Sequence, residues 1–465
     1  MINLTHIKNC ASVKSPSEQN GKLNFYTDSR KYHHPGAFVA IPGVKVNPLD
    51  IISNLLNEGC PIVIYQGSSE NQAKIQNLKQ KYSGTDFIEV TDSVTFLQEL
   101  TNLHIKEWKN KNSRNTVFAI SGSNGKTTHK EMLSHILKEV LPGKIVATEK
   151  NNNNHLGVPL TLLGVTDETQ TVVLELGSNH PGEIKVLCDI AEPNAGLTTN
   201  IGATHLEFFG STEKVFEEEG YLYHAVQKVT GGNGFYLINN DDQFLKRLVP
   251  FPGAVTFGEG STAQAQITYQ EHGAEINYKN EIFHAENQNI TGKHNKLNLV
   301  TCLFIASKLY PELKMQFVEA CKTFRPTKNR SEWIQFESAS VYLDAYNANP
   351  SSMKAALEGF KESVLTQGHK LSETCIVLGD MNELGDSTPQ YHKEVGELVK
   401  NMGFPNVFFI GRFSQHYLAG NSGAQTRASS SEFKNEYRND CVRKYPFHFI
   451  KGSRSLQLES LFDIT

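Results

Sequence analysis

No stretch of the sequence is long and apolar enough to be a membrane span. The first residues, Met1 to Leu23, are polar and broken by Gly21, so no signal peptide is expected either. The chain is therefore expected in the cytoplasm. Paired cysteines are also missing. The seven present (Cys10, Cys60, Cys188, Cys302, Cys321, Cys375 and Cys441) are scattered and never spaced C-x-x-C, which excludes a disulfide framework and a zinc site and leaves reduced structural thiols. Nor is there a surplus of positive charge: 45 Lys and Arg stand against 49 Asp and Glu, so nothing holds a nucleic acid or an anionic membrane as main partner. Internal repeats and long low-complexity tracts are absent as well.

At 465 residues the chain is long enough for two or three domains, each with its own core. Short β-branched and aromatic runs alternate with longer amphipathic stretches. They are Ala37 to Ile41, Ile62 to Tyr65, Val117 to Ile120, Thr171 to Leu176, Phe235 to Ile238, Ile376 to Leu378 and Val407 to Ile410. The alternation predicts an α/β fold with largely parallel, buried sheets. The polar stretch Lys106 to Asn115 suits an interdomain boundary, and a second falls near Phe324 to Arg330, where Pro326 interrupts the pattern. Three domains are expected: 1–113, 114–324 and 325–465. Ala419 to Ser431, rich in Ser, Gly and Ala, is expected to be a surface loop.

The sharpest local signal is Ser121-Gly122-Ser123-Asn124-Gly125-Lys126-Thr127-Thr128, after a predicted strand and before a helix carrying Met132, Ile136, Leu137 and Val140 on one face. Glycines let backbone N–H groups turn toward phosphate oxygens, and the helix N-terminus adds partial positive charge. Lys126 can reach the β/γ-phosphates and Thr127 can hold Mg²⁺. The full phosphate-loop pattern would have glycine at position 120, where this chain has Ile120. The alternative is an ordinary glycine turn with a solvated lysine.

Beyond the loop the sequence continues with Asn151-Asn152-Asn153-Asn154-His155-Leu156-Gly157-Val158-Pro159, Leu174-Glu175-Leu176-Gly177-Ser178-Asn179-His180-Pro181-Gly182-Glu183 and Thr199-Asn200-Ile201-Gly202-Ala203-Thr204-His205-Leu206-Glu207. Later come Gly292-Lys293-His294-Asn295, Asn329-Arg330, Asp344-Ala345-Tyr346-Asn347-Ala348-Asn349-Pro350, Gly379-Asp380-Met381-Asn382-Glu383 and Lys451-Gly452-Ser453-Arg454. In this order the segments resemble the Mur ligases, and within that family the MurF branch, from about position 114 to 455.

The resemblance implies a central ATP-binding domain with a P-loop-type parallel sheet, a Rossmann-like C-terminal domain, and a small α/β N-terminal domain that binds a uridine-nucleotide precursor. It implies a ligase using ATP and Mg²⁺ that joins D-Ala-D-Ala to UDP-N-acetylmuramoyl-tripeptide through an acyl phosphate, and a monomer is expected. The residues implied for catalysis are Lys126, Glu175, His205 and Asn154. Gly122 to Thr128, His294, Asn295, Arg330 and Asp344 are implied for the nucleotide, with His294 and Asn295 near the adenine. Ser29, Arg30, Asn153, Asn347 and Asn349 are implied for the substrates. Chemically, Arg330 offers a fork of donors suited to phosphate, and Asp344 two acceptors suited to ribose hydroxyls. Glu175 could instead cap a helix, His205 could be a hydrogen-bonded loop histidine, and Arg330 could form a surface ion pair.

Two departures stand out. Lys45-Val46-Asn47-Pro48 replaces the Asp-Gly-His that often follows the uridine-binding segment Thr27 to Gly43. Glu219 stands where the family usually has a lysine that takes up CO₂ as a carbamate to help hold a second Mg²⁺. Glu219 is then expected to complete a metal set with Thr127, Glu175 and His205, or to be one of three solvated glutamates, Glu217 to Glu219, on a helix. The Asp-Asn-Pro-Arg selector expected of MurE is not found. Another ligase of this type, such as folylpolyglutamate synthase, and a homologue that binds without ligating remain as alternatives.

Overall fold

The computed structural model describes residues 1–14, 19–43, 45–326 and 330–462. Its strands form three separate sheets, each built from one stretch of chain. The first has five strands in chain order: Ile2–Asn3, Lys22–Tyr26, Gly36–Ala40, Ile62–Gln66 and Asp86–Val90. It is parallel after its first pair.

The central sheet has nine strands. Thr116–Ser121 lies in it between Thr171–Glu175 and Ala195–Thr198, with Ile145–Ala147 at one edge. On the other side follow Phe235–Asn239, Ala254–Gly258, Ala265–Gln270, Gly273–Tyr278 and Glu281–Glu286. The last two are antiparallel additions. This hairpin region was not anticipated, because its alternating pattern, buried and exposed in turn along Ala265–Gln270, contains no continuous apolar run. Thr116–Ser121 therefore has a later strand on each side. At such a switch in strand order a crevice opens beyond the carboxyl ends of the strands.

The third sheet runs in the order Glu332–Phe336, Ala339–Asp344, Phe447–Lys451, Thr374–Gly379, Val407–Ile410 and Gln425–Arg427. The segment Ala419 to Ser431 is thus not simply a loop: it contains the edge strand Gln425–Arg427, short and only half-buried, before a helix that starts at Ser430. All seven cysteines are free and buried. Among the described residues no helix is long and apolar enough to cross a membrane.

The stretch read as an interdomain linker is mostly helix. Ser93–Lys111 is continuous, and only Asn112 to Asn115 separate it from Thr116–Ser121. Its first half buries Phe96 and Leu100 in the core of the first sheet, while Ile105 and Trp108 enter the core of the central one. Trp108 Nε1 donates to the Thr169 carbonyl at 3.0 Å. One helix thus spans the boundary because its apolar residues serve two cores in succession.

The central core lies on both faces of its sheet. On one face the helix Lys293–Leu309 is buried nearly all round. Phe304, at its centre, meets Phe283 edge-on at 4.9 Å and Tyr278 at 5.4 Å. Removing that ring leaves a cavity that rigid neighbours cannot close. Phe304→Ala should cost about 3–5 kcal/mol, read as a lower urea midpoint at unchanged slope. An unchanged midpoint would mean the helix does not carry this core.

Candidate active site

The phosphate loop is shaped by its neighbours. Val117 to Ile120 are fully buried, so the strand is fixed up to Ser121. Gly122 has φ +120°, and a Cβ there would lie 2.8 Å from the Thr199 backbone nitrogen, so only glycine fits. Ser123 N–H donates to the Asn200 carbonyl at 2.8 Å and Asn124 N–H to Asn200 Oδ1 at 3.1 Å. Gly125, with φ +80°, opens the helix Lys126–Val140. The N–H groups of that helix's first turn have no partner within the helix, and with the loop they line a cleft of about 800 Å³.

Opposite the loop, Thr127 Oγ1 donates to Glu175 Oε1 at 2.9 Å, and Asn153 Nδ2 donates to the same oxygen at 3.1 Å. Glu175 Oε2 is buried without a hydrogen-bond partner. Such an oxygen beside a threonine hydroxyl is a vacant acceptor suited to a hard cation. His205, in left-handed conformation at φ +52°, also lines the cleft. Its Nδ1 lies 2.5 Å from Glu383 Oε2. The hydrogen bond from His205 holds the Glu383 carboxyl below its ordinary value. Among the described residues no three His, Cys, Asp or Glu side chains converge as a closed metal site. A cation here would take its remaining ligands from phosphate and water, as Mg²⁺ commonly does.

The third sheet brings the carboxyl ends of its strands to the same cleft. Arg330 stacks on Tyr346 at 3.7 Å, and the Tyr346 hydroxyl donates to Asn151 Oδ1 at 2.5 Å. Asp344 Oδ2 accepts from Lys451 Nζ at 2.6 Å, and the same amine donates to the Asn347 carbonyl at 2.9 Å. His294 is half-buried nearby; desolvation lowers its pKa to about 4, so it is neutral near pH 7. Asn349 caps the helix Pro350–Thr366 by accepting from Ser352 N–H at 2.9 Å. Its Nδ2 crosses to Asn124 Oδ1 at 2.6 Å, so the amide implied for substrate is already engaged by protein.

The cleft therefore gathers Ser123 to Thr128, Asn153, Asn154, Glu175, His205, His294, Asn295, Arg330, Asp344, Asn347 and Asn349. Other implied residues have partners of their own. The side-chain oxygen of Asn154, implied in catalysis, accepts from Gly157 N–H at 2.9 Å, at the first residue of the helix Gly157–Leu162. Ser29 and Arg30 do not line the cleft; Arg30 is exposed and grips Asp28 with Nε at 2.9 Å and Nη2 at 2.8 Å. Asn329 lies outside the described residues.

Glu219 is not a solvated glutamate, and it is not on the cleft wall where a metal ligand would stand. Its Oε2 accepts from Gly122 N–H at 2.7 Å behind the loop. Burial pushes its carboxyl up, opposed by Lys126 and the Gly122 N–H. Glu218 is buried too, and accepts from Gly182 N–H at 2.6 Å and Ile184 N–H at 2.7 Å at the start of the helix Glu183–Ala191. Only Glu217 is exposed. Residues without a predicted role include Asn200, Tyr346, Glu383 and Lys451. All four fall in segments quoted from the sequence, but none carries a local sign of its partner.

A loop of this kind, facing an acidic strand end and the strand ends of a separate α/β sheet, defines an ATP-dependent ligase architecture. The chain belongs to the Mur ligase family. The model of the Mur ligase middle domain matches residues 120–306, and that of the Mur ligase glutamate ligase domain residues 329–438. Within the family, the chain is similar to proteins named UDP-N-acetylmuramoyl-tripeptide–D-alanyl-D-alanine ligase. The one from Bacillus subtilis is 29% identical over 401 residues, covering 85% of this chain and 81% of the relative. The one from Escherichia coli is 30% identical over 318 residues, covering 66% and 67%. In fold, the chain is similar to MurF from Acinetobacter baumannii, with TM-score 0.79, 24% identity and coverage of 99% and 97%. MurF from Thermotoga maritima, solved in complex with ADP, gives TM-score 0.74 at 22% identity, covering 95% and 96%.

Asn349 performs two tasks that substitution can separate. Asn349→Asp keeps the capping oxygen but loses the donor to Asn124, whereas Asn349→Ala loses both. The alanine variant should lose about 1 kcal/mol of stability and the aspartate variant much less. Both should give a larger radius of gyration by small-angle scattering, as one of the ties between the domains is broken. Equal compactness of all three proteins would show that this bond does not hold the domains together.

Proposed function

We propose that the chain joins D-alanyl-D-alanine to UDP-N-acetylmuramoyl-tripeptide at the expense of ATP, in the cytoplasm and as a monomer. The observation that carries the reading is the pairing of Thr127 with Glu175, whose second oxygen has no partner, at the mouth of a glycine loop bearing Lys126. A nucleotide would lay its phosphates along the loop and the first turn of the helix Lys126–Val140. His294 and Asn295, on the wall of the same cleft, would lie beside its base. Thr127, Glu175 and His205 would hold Mg²⁺, which offsets charge on the phosphate oxygens.

The rest follows from the chemistry of a carboxylate, which is a poor acylating agent. Its oxygen takes the γ-phosphoryl group, ADP leaves, and the acyl phosphate is attacked by the dipeptide amine. Inorganic phosphate departs and the amine gives up a proton. Phosphoryl transfer is mainly positioning and charge neutralisation. Lys126 supplies charge at the transferred group, and Arg330, oriented by its stack on Tyr346, approaches from the third domain. The precursor's uridine end would extend to the first sheet, with Ser29 and Arg30 on that side.

Phosphate release should require ATP, Mg²⁺, the UDP-tripeptide and D-Ala-D-Ala together. Silence with all four present would instead indicate a binding protein. Lys126→Ala should fold and lose about a hundred- to thousand-fold in rate, equivalent to about 3–4 kcal/mol; near-full turnover in that variant refutes the role. On matched precursors, kcat/KM for D-Ala-D-Ala should exceed that for lysine, diaminopimelate or glutamate. A single amino acid preferred by about tenfold would overturn the dipeptide assignment.

A further inference from the structure

The reading above gives the buried carboxyl of Glu219 no task. Glu219 is 3% exposed and ends the helix Thr212–Glu219 directly behind the phosphate loop. Its oxygens have separate partners: Oε2 accepts from Gly122 N–H at 2.7 Å, and Oε1 stands 3.8 Å from Lys126 Nζ. Its backbone carbonyl is held too, accepting from Ser121 Oγ at 2.8 Å and Thr198 Oγ1 at 3.3 Å. Lys126 also folds back to donate to the Gly122 carbonyl. The strand end, the first glycine and the amine of the loop thus all meet one residue. Burial raises the carboxyl of Glu219 above its ordinary value, and the cation and the N–H that oppose this both come from the loop itself.

We propose that Glu219 is a positioning residue for the phosphate loop: a counter-charge that fixes Lys126 and Gly122 from behind and sets how strongly the lysine attracts phosphate. The inference rests on the nucleotide reading and deepens it. With the carboxylate in place the lysine is already oriented when a nucleotide arrives, but its attraction is partly offset. When the product leaves, the amine has an anion to return to. Glutamine has the same shape and can still accept from Gly122 N–H, so Glu219→Gln removes the charge alone.

The test is calorimetric titration of the full-length chain with ADP, in EDTA and then with Mg²⁺. Glu219→Gln should bind ADP about threefold or more tightly in both, because the lysine is released to the phosphates, while the Mg²⁺ half-saturation concentration stays within about twofold. In a Lys126→Met background the same substitution should change ADP affinity by less than about 1.5-fold, since the coupling needs the lysine. Glu217→Gln, on the exposed residue, should change nothing. Unchanged ADP affinity in Glu219→Gln, or an equal change in both backgrounds, overturns the proposal. A rise of about tenfold in the Mg²⁺ requirement also overturns it, by making Glu219 a metal ligand. Should Glu219→Gln fail to fold, Glu219→Asp keeps the charge and shortens the reach by one methylene. It should then tighten ADP less, again only when Lys126 is present, and an effect independent of Lys126 overturns the proposal. A wild-type chain that binds no ADP removes the nucleotide reading and this inference together, whereas ADP binding with a neutral Glu219→Gln removes this inference alone.

Discussion

A four-residue glycine loop cannot hold one shape by its own conformational preferences, because glycine is the least restrained residue in the chain. Its shape here is imposed from behind. Asn200 takes the N–H groups of Ser123 and Asn124, Thr199 blocks any side chain at Gly122, and Glu219 takes the Gly122 N–H. These residues sit on the neighbouring strand end and on the helix that follows it. The position of Lys126, the direction of the first helical turn and the place of Thr127 against Glu175 all depend on that bracing.

The third domain takes its register from the same loop. Asn124 is joined to both Asn349 and Ser351, the latter at 2.9 Å, so the start of the helix Pro350–Thr366 is seated against the loop. Two other ties lie at the rim of the cleft, between Tyr346 and Asn151 and between Glu383 and His205. All three are polar, and each consists of a few groups. Contacts of this kind hold domains in register yet break without loss of either core, as a cleft that must admit and release ligands requires.

The run Glu217-Glu218-Glu219 shows how much three identical side chains can differ. Successive helical positions point about 100° apart, so one faces water while its neighbours turn inward. Glu218 meets the unpaired N–H groups at the start of another helix, and Glu219 meets the phosphate loop. A helix of this composition reads as a solvated face. Only the donors that approach it from elsewhere in the chain let two of its carboxyls turn inward.

The sequence by itself determined the α/β class, the seven strand runs that it makes continuous and apolar, and the strand–loop–helix that carries Lys126. Each of these is local: a buried parallel strand needs an unbroken apolar run, and a phosphate loop needs glycines at fixed offsets from a lysine. The antiparallel strands at 265–286 are hidden because one-sided burial leaves only a weak alternation, and the end of the helix Ser93–Lys111 reads as a boundary because its polar residues outnumber its buried ones from Lys106 on. What only the tertiary structure decided is the partner of each functional side chain. Glu219 lies 97 residues from Gly122, Asn349 lies 225 from Asn124, and Lys451 lies 107 from Asp344. A hydrogen bond across such a separation leaves no mark in the residues next to either partner, because it is set by where two strand ends meet and not by the preferences of either segment.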